Sequence, residues 1–95
     1  MPFYVYMLAS RPNGALYVGS TSNLAQRVSQ HRVGSVSAHT KRYQIHSLVW
    51  CEQHAERHLA AKREHQIKRW RRDWKIAIIE ENNPKWRDLS ADLLS

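Results

Sequence analysis

Asn13-Gly14 stands between two runs of β-favouring residues, and this dipeptide constrains the fold more than any other feature. Phe3-Tyr4-Val5-Tyr6-Met7-Leu8 precedes the turn Arg11-Pro12-Asn13-Gly14, and Ala15-Leu16-Tyr17-Val18-Gly19 follows it. Asn-Gly supplies the positive-φ positions of a tight hairpin turn, so a hairpin opens the fold. Opposed residues of an antiparallel pair share a face, and an odd register sum puts Tyr6 beside Tyr17 and Gly19. Thr21, Ser22 and Asn23 offer N-caps for a helix beginning at Leu24. Leu24, Val28 and His31 recur at helical spacing, and Arg27 falls in the same arc. Four polar groups, Tyr6, Tyr17, Arg27 and His31, thus sit where apolar side chains belong. An arginine so placed neutralises a buried carboxylate or awaits an anion.

The remaining pattern predicts strands near 3–9 and 15–20, a helix near 23–32, and a polar connection over 33–42. A third strand is expected near 43–51, and a long helix near 54–72. A second helical stretch near 74–81 stops at Asn82-Asn83-Pro84. This order implies an α+β domain, a small three-stranded antiparallel sheet flanked by helices. Ninety-five residues leave no room for a second core, so 1–95 reads as one domain, with 82–95 a C-terminal extension packing on it. The single cysteine, Cys51, excludes an internal disulfide framework and a multi-cysteine zinc site, and is expected to end a buried strand. No stretch approaches the ~20 apolar residues of a membrane span. The N-terminus lacks the charged and apolar regions of a secretory signal. A soluble, cytoplasmic protein is expected.

On the long helix, Leu59, Ile67, Trp70 and Trp74 fall in one stripe, and Trp86 joins the C-terminal packing. Glu64 lies about 80° from the stripe, at the border between buried and wet. Arg63 falls inside the stripe, to snorkel outward or to pair with Glu56 one turn earlier. Of the net charge of +7, residues 57–75 carry +6, with eight basic residues against Glu64 and Asp73. Such concentration suits a polyanion partner. Each residue also has an ordinary use. Glu64 and Lys68 make a favoured i, i+4 ion pair, and Asn83 before Pro84 ends a helix. His54 and His58 have helical metal-ligand spacing, but neither an HExxH pattern nor a nearby cysteine supports it.

The ordered set Tyr6, Tyr17, Arg27, His31, Glu64 and Asn83 resembles a GIY-YIG nuclease domain, over nearly the whole chain. Val5-Tyr6-Met7 stands for the first signature and Tyr17-Val18-Gly19 for the second. The departures replace apolar residues or a glycine, and leave both tyrosines and the second glycine intact. The chain is most similar to short stand-alone bacterial members without an attached DNA-binding domain. The resemblance implies those six residues as catalytic. It also implies Glu64 as the ligand of Mg²⁺ (or Mn²⁺), and DNA, branched or duplex, as the partner. It puts Tyr17 near the attacking water as base or positioner, with His31 and Tyr6 as relay or orienting partners.

The chemistry suits these residue types. A hard cation held by one carboxylate and waters stabilises a leaving 3′ oxygen. A permanently charged, forked arginine fits two phosphoryl oxygens. Lys41, Arg42, Lys68 and Arg71 are expected to grip nucleic acid, and Tyr43 to stack a base or sugar or begin the third strand; His39 and Thr40 could line the same pocket. The expected function is a metal-dependent endonuclease hydrolysing DNA, structure-directed or loosely sequence-specific, in repair or recombination, with a protein partner supplying specificity. The alternative is a nucleic-acid-binding module that needs a partner for turnover.

Overall fold

The Asn13-Gly14 turn closes the hairpin. In the computed structural model, which describes residues 2–33 and 44–91, Asn13 takes φ 58°, a left-handed value that asparagine tolerates better than most residues. Gly14 N–H donates to Arg11 O at 2.9 Å, and Ser10 N–H to Ala15 O at 3.0 Å. Strands β1 (Phe3–Ala9) and β2 (Leu16–Thr21) pair antiparallel, with Tyr6 opposite Gly19 and Leu8 opposite Tyr17. The register sum is odd, and the two tyrosines share a face.

Helix α1 (Leu24–Arg32) follows, capped by Asn23, whose side chain accepts the Gln26 N–H at 3.1 Å. Strand β3 (Ser47–His54) pairs antiparallel with β1, giving the order β2-β1-β3. A bulge opposite Met7 and Leu8 leaves Val49 without a partner in the register. Helices α2 (Arg57–Lys68) and α3 (Arg72–Asn82) complete the α+β architecture.

The sheet divides the core. Val5, Met7 and Val18 meet Ala60, Ile67 and Ile79 of α2 and α3 on one face. Tyr6, Leu8 and Leu48 meet Leu24 and Val28 of α1 on the other. Val5 to Ala9 have no exposed surface at all. A central strand covered on both faces reads as a continuous apolar run, which explains the sequence of β1.

Several boundaries differ from the sequence reading. Strand β3 runs to His54 rather than Cys51, because Cys51, Glu52, Gln53 and His54 all pair with β1. Cys51 is therefore inside the strand, and it is exposed. The expected helix over 54–72 starts at Arg57 and ends at Lys68, and the next begins at Arg72. Arg69 and Trp70 tighten the end of α2 by donating to Gln66 O and Ile67 O, and Arg71 is extended. The single stripe consequently breaks up. Ala60 and Ile67 are buried on α2, whereas Leu59 is 43% and Trp74 53% exposed. Arg63 pairs with Glu52, at 3.0 and 3.4 Å, rather than with Glu56, and its guanidinium lies 5.2 Å from the Trp70 ring centroid.

After α3 the chain returns to the sheet. Leu89 N–H donates to Leu48 O at 2.7 Å, and Asp88 accepts the Leu48 N–H at 3.2 Å. Asp88 also pairs with Arg32 at the end of α1, at 2.7 Å. The last helical turn of α1 is thereby tied to β3. Among the described residues, no helix is long and apolar enough to cross a membrane.

Candidate active site

Tyr6 lies on the α1 face of the sheet and is completely buried. Its hydroxyl is 2.9 Å from His31 Nε2. Burial, then the neighbouring Tyr17, pushes the Tyr6 hydroxyl well above the usual phenol range; the charge and hydrogen bond of Arg27 oppose this without reversing it. Tyr6 therefore stays protonated and shares this hydrogen bond with His31. His31 is also fully buried. Burial first, then the charges of Arg27 and His46, brings its pKa down to about 4, so the ring is neutral near pH 7. The tautomer of the neutral ring sets which of the two groups donates.

Tyr17 is half-buried and forms the outer wall of this cluster. Its ring centroid is 4.7 Å from that of His31 and 6.3 Å from that of Tyr6. Gly19 is where the tyrosines converge: a β-carbon there would come within 2.5 Å of the Tyr6 oxygen and 3.1 Å of Tyr17 Cε1.

Ser20 points to the opposite face, since successive strand residues alternate. Its hydroxyl donates to Glu64 Oε1 at 2.5 Å. Lys68 Nζ lies 2.6 Å from Glu64 Oε2. Burial raises the Glu64 carboxyl, but the hydrogen bonds of Lys68 and Ser20 and the charges of Lys68 and Arg27 outweigh it, leaving it below the usual range. Glu64 acts in turn on Tyr6. The carboxylate of α2 thus reaches the edge strand β2 from one face while the phenols occupy the other, and Arg27 interacts with both.

Beside this edge, Phe3, Ser20, Thr21, Ser22, Arg27, Arg57, Ala60 and Ala61 enclose a cleft of about 370 Å³. Arg57 lies 5.5 Å over the Phe3 ring. Two permanent cations and three hydroxyl-bearing residues make the cleft complementary to an anion.

Residues 2–77 match the family described as the GIY-YIG catalytic domain. The chain belongs to the GIY-YIG family. This nuclease family takes nucleic acid as substrate. Among relatives, the chain is 35% identical to a UPF0213 protein of Staphylococcus haemolyticus, over 82% of this chain and 94% of that one. It is also 35% identical to a UPF0213 protein of Pediococcus pentosaceus, over 84% and 83% of the two chains. The solution NMR structure of a UPF0213 protein from Bacillus halodurans has the same fold, with TM-score 0.57 and 23% identity over 93% of each chain.

The remaining GIY-YIG positions and expected contacts are placed unevenly. Asn83 is buried, and its amide donates to Val49 O and Arg87 O at 3.1 and 2.9 Å while accepting the Arg87 N–H at 3.0 Å. Among the described residues its side-chain bonds go to main chain, not to the phenols or Arg27. Lys68 is committed to Glu64, and Arg71 lies exposed, 5.4 Å over Trp74. Lys41, Arg42 and Tyr43 lie outside the described residues, as do His39 and Thr40. His54 pairs with Glu52 at 2.7 Å, and the more exposed His58 with Glu56. Among the described residues, no three His, Cys, Asp or Glu side chains group to hold a metal.

Sequence reasoning missed Ser20, Arg57 and His46. Ser20 follows the signature glycine and its alternation pointed toward α2, a usable signal. Arg57 was visible only as part of the charge run. His46, whose Nδ1 is buried with no hydrogen-bond partner among the described residues, gave no signal.

Proposed function

We propose that this protein is a metal-dependent endonuclease that hydrolyses DNA phosphodiester bonds in the cytoplasm. It would recognise DNA shape or a loose sequence preference, in repair or recombination, with branched or duplex DNA as substrate and a protein partner adding specificity. One observation carries the reading: Arg27 lines an anion-complementary cleft together with Ser20, whose hydroxyl holds Glu64.

In this reading Arg27 holds the scissile phosphate through its paired N–H donors and neutralises charge developing on the phosphoryl oxygens. Tyr17, the phenol reaching outward, positions the attacking water or takes its proton. Tyr6 and His31 orient it. A histidine with pKa near 4 is a poor proton store at neutral pH, so an orienting role suits His31 better than a relay. Among the described residues Glu64 is the carboxylate offered to a Mg²⁺ or Mn²⁺ ion, and a hard cation that keeps most of its water needs little more from the protein. Such an ion, when bound, supplies charge stabilisation at the leaving 3′ oxygen. The Lys68 ammonium, whose side chain is 49% exposed, would swing from Glu64 toward the DNA backbone. Asn83 enters as a positioning residue, and Arg71, Lys41, Arg42 and Tyr43 as backbone or base contacts.

A nucleic-acid-binding module lacking turnover on its own is the second reading. Its support is that both Glu64 oxygens are taken, by Ser20 and Lys68. Supercoiled plasmid and branched DNA incubated with the protein in Mg²⁺, Mn²⁺ or EDTA separate the two. Nicking with either metal and none in EDTA supports the nuclease. Tight, salt-sensitive binding with no nicking supports the module.

A further inference from the structure

The break between α2 and α3 exposes an aromatic surface in the most basic part of the chain. Residues 68–75 hold five cations and one acid, Asp73. Trp70 and Trp74 meet edge to face, with centroids 6.1 Å apart. Together with Ala77, Ile78 and Glu81 they line an open groove of about 300 Å³. Arg63 covers Trp70 and Arg71 covers Trp74, at 5.2 and 5.4 Å. Trp74 nevertheless leaves 53% of its surface in water. The surrounding cations exceed the local acids, and Lys75 is itself held below its usual range by burial and then by Arg72.

Arg71 pairs with Asp73 at 3.3 Å and Arg63 with Glu52, yet cations outnumber acids five to one over residues 68–75. An exposed indole in such a basic stretch is the combination that binds unpaired nucleotides: bases stack on the ring and phosphates meet the charges. The carboxylate of Glu81 keeps phosphate out of the groove itself. It leaves a base, whose amino edge a carboxylate can accept from, as the complementary occupant. Glu64 lies four residues before the end of α2, on the helix that leads into this elbow.

We propose that the elbow between α2 and α3 is a second nucleic-acid subsite that stacks an unpaired base on Trp74, so that the preferred substrates carry single-stranded DNA next to the cleavage point. The proposal rests on the reading of this chain as acting on nucleic acid.

The test is fluorescence anisotropy with a short fluorescein-labelled single strand and a blunt duplex of the same sequence, with melting curves confirming that each variant is folded. Trp74→Ala weakens single-strand binding roughly ten- to a hundred-fold, the worth of one stacked base. Duplex binding falls much less. Trp74→Phe restores most of the strand affinity. Strand affinity unchanged in Trp74→Ala, or lost equally for strand and duplex, overturns the subsite. So does an effect of Trp74→Ala confined to the sedimentation of the protein alone, which marks the groove as a contact between copies. Trp74-dependent strand binding without any DNA cleavage upholds the subsite and removes only the nuclease reading.

Discussion

Tyr6 and Gly19 are direct cross-strand partners, and the Tyr6 phenol fills the space a β-carbon on Gly19 would need, 2.5 Å from its oxygen and 2.7 Å from Cζ. Tyr6 is buried on every side and cannot give way. Gly19→Ala should therefore cost about 2–3 kcal/mol, as overpacking does in a filled core, measured by denaturant unfolding. Tyr6→Phe removes one of the two clashing atoms, so the double variant should be less destabilised than the sum of the singles, by about 0.5 kcal/mol or more. Strict additivity would contradict the contact.

The His31 imidazole ties stability to pH. Its pKa falls from 6.5 when solvated to about 4 in the fold. Between those values the unfolded chain binds the extra proton and the native chain does not, so stability rises with pH across this window. It is complete above about pH 6.5 and lost as pH falls toward 4, by up to roughly 3 kcal/mol. Melting temperature against pH should show this slope in the wild type and a shallower one in His31→Gln. Parallel slopes would remove His31 as the cause.

Lys68 occupies the oxygen of Glu64 that a cation would need. Lys68→Ala should lower the Mg²⁺ concentration for half-maximal DNA cleavage several-fold, even as it weakens DNA binding. Its effect on stability should stay within about 0.5 kcal/mol, as for exposed i, i+4 pairs. A raised Mg²⁺ requirement would show that Lys68 does not compete for this carboxylate.

Asn83 joins the chain after α3 to β3. Asn83→Ala leaves the buried Val49 carbonyl and the part-buried main chain of Arg87 unpaired and should cost about 2–3 kcal/mol. Asn83→Asp should be no milder, because it sets a carboxylate against two carbonyls. Cleavage below the melting transition should then track the folded fraction. A loss of rate far exceeding the loss of fold would give Asn83 a direct part in the reaction.

The hairpin, its register and the inward stripe of α1 were legible because local chemistry dictates them: Asn-Gly permits one kind of turn, and period-2 and period-3.6 spacing do the rest. The end of β3 was not. Glu52, Gln53 and His54 look like loop residues until β1 supplies their partners. The break after Lys68 contains neither glycine nor proline. It coincides with a long-range anchor, the Arg72 guanidinium donating to Asn13 O and Gly14 O at 2.6 Å each. Helix periodicity alone therefore ran straight through it and buried Trp74 on paper. Within the site, the conjunction of Tyr6, Tyr17, Arg27 and His31 could be read from spacing. The bond from Ser20 to Glu64 joins residues 44 positions apart, and only the packing of α2 beside β2 reveals it.

In the proposed reaction Arg27 and Glu64 serve one phosphodiester. Single-turnover cleavage of a defined branched duplex, by wild type, Arg27→Ala and Glu64→Ala purified in parallel, tests it most directly. Metal-dependent cutting by the wild type should fall by about 10²–10³ or more in Arg27→Ala, the scale for losing a donor to developing negative charge, and to background in Glu64→Ala, with both variants still folded. Equal, metal-dependent cutting by all three proteins would contradict the account.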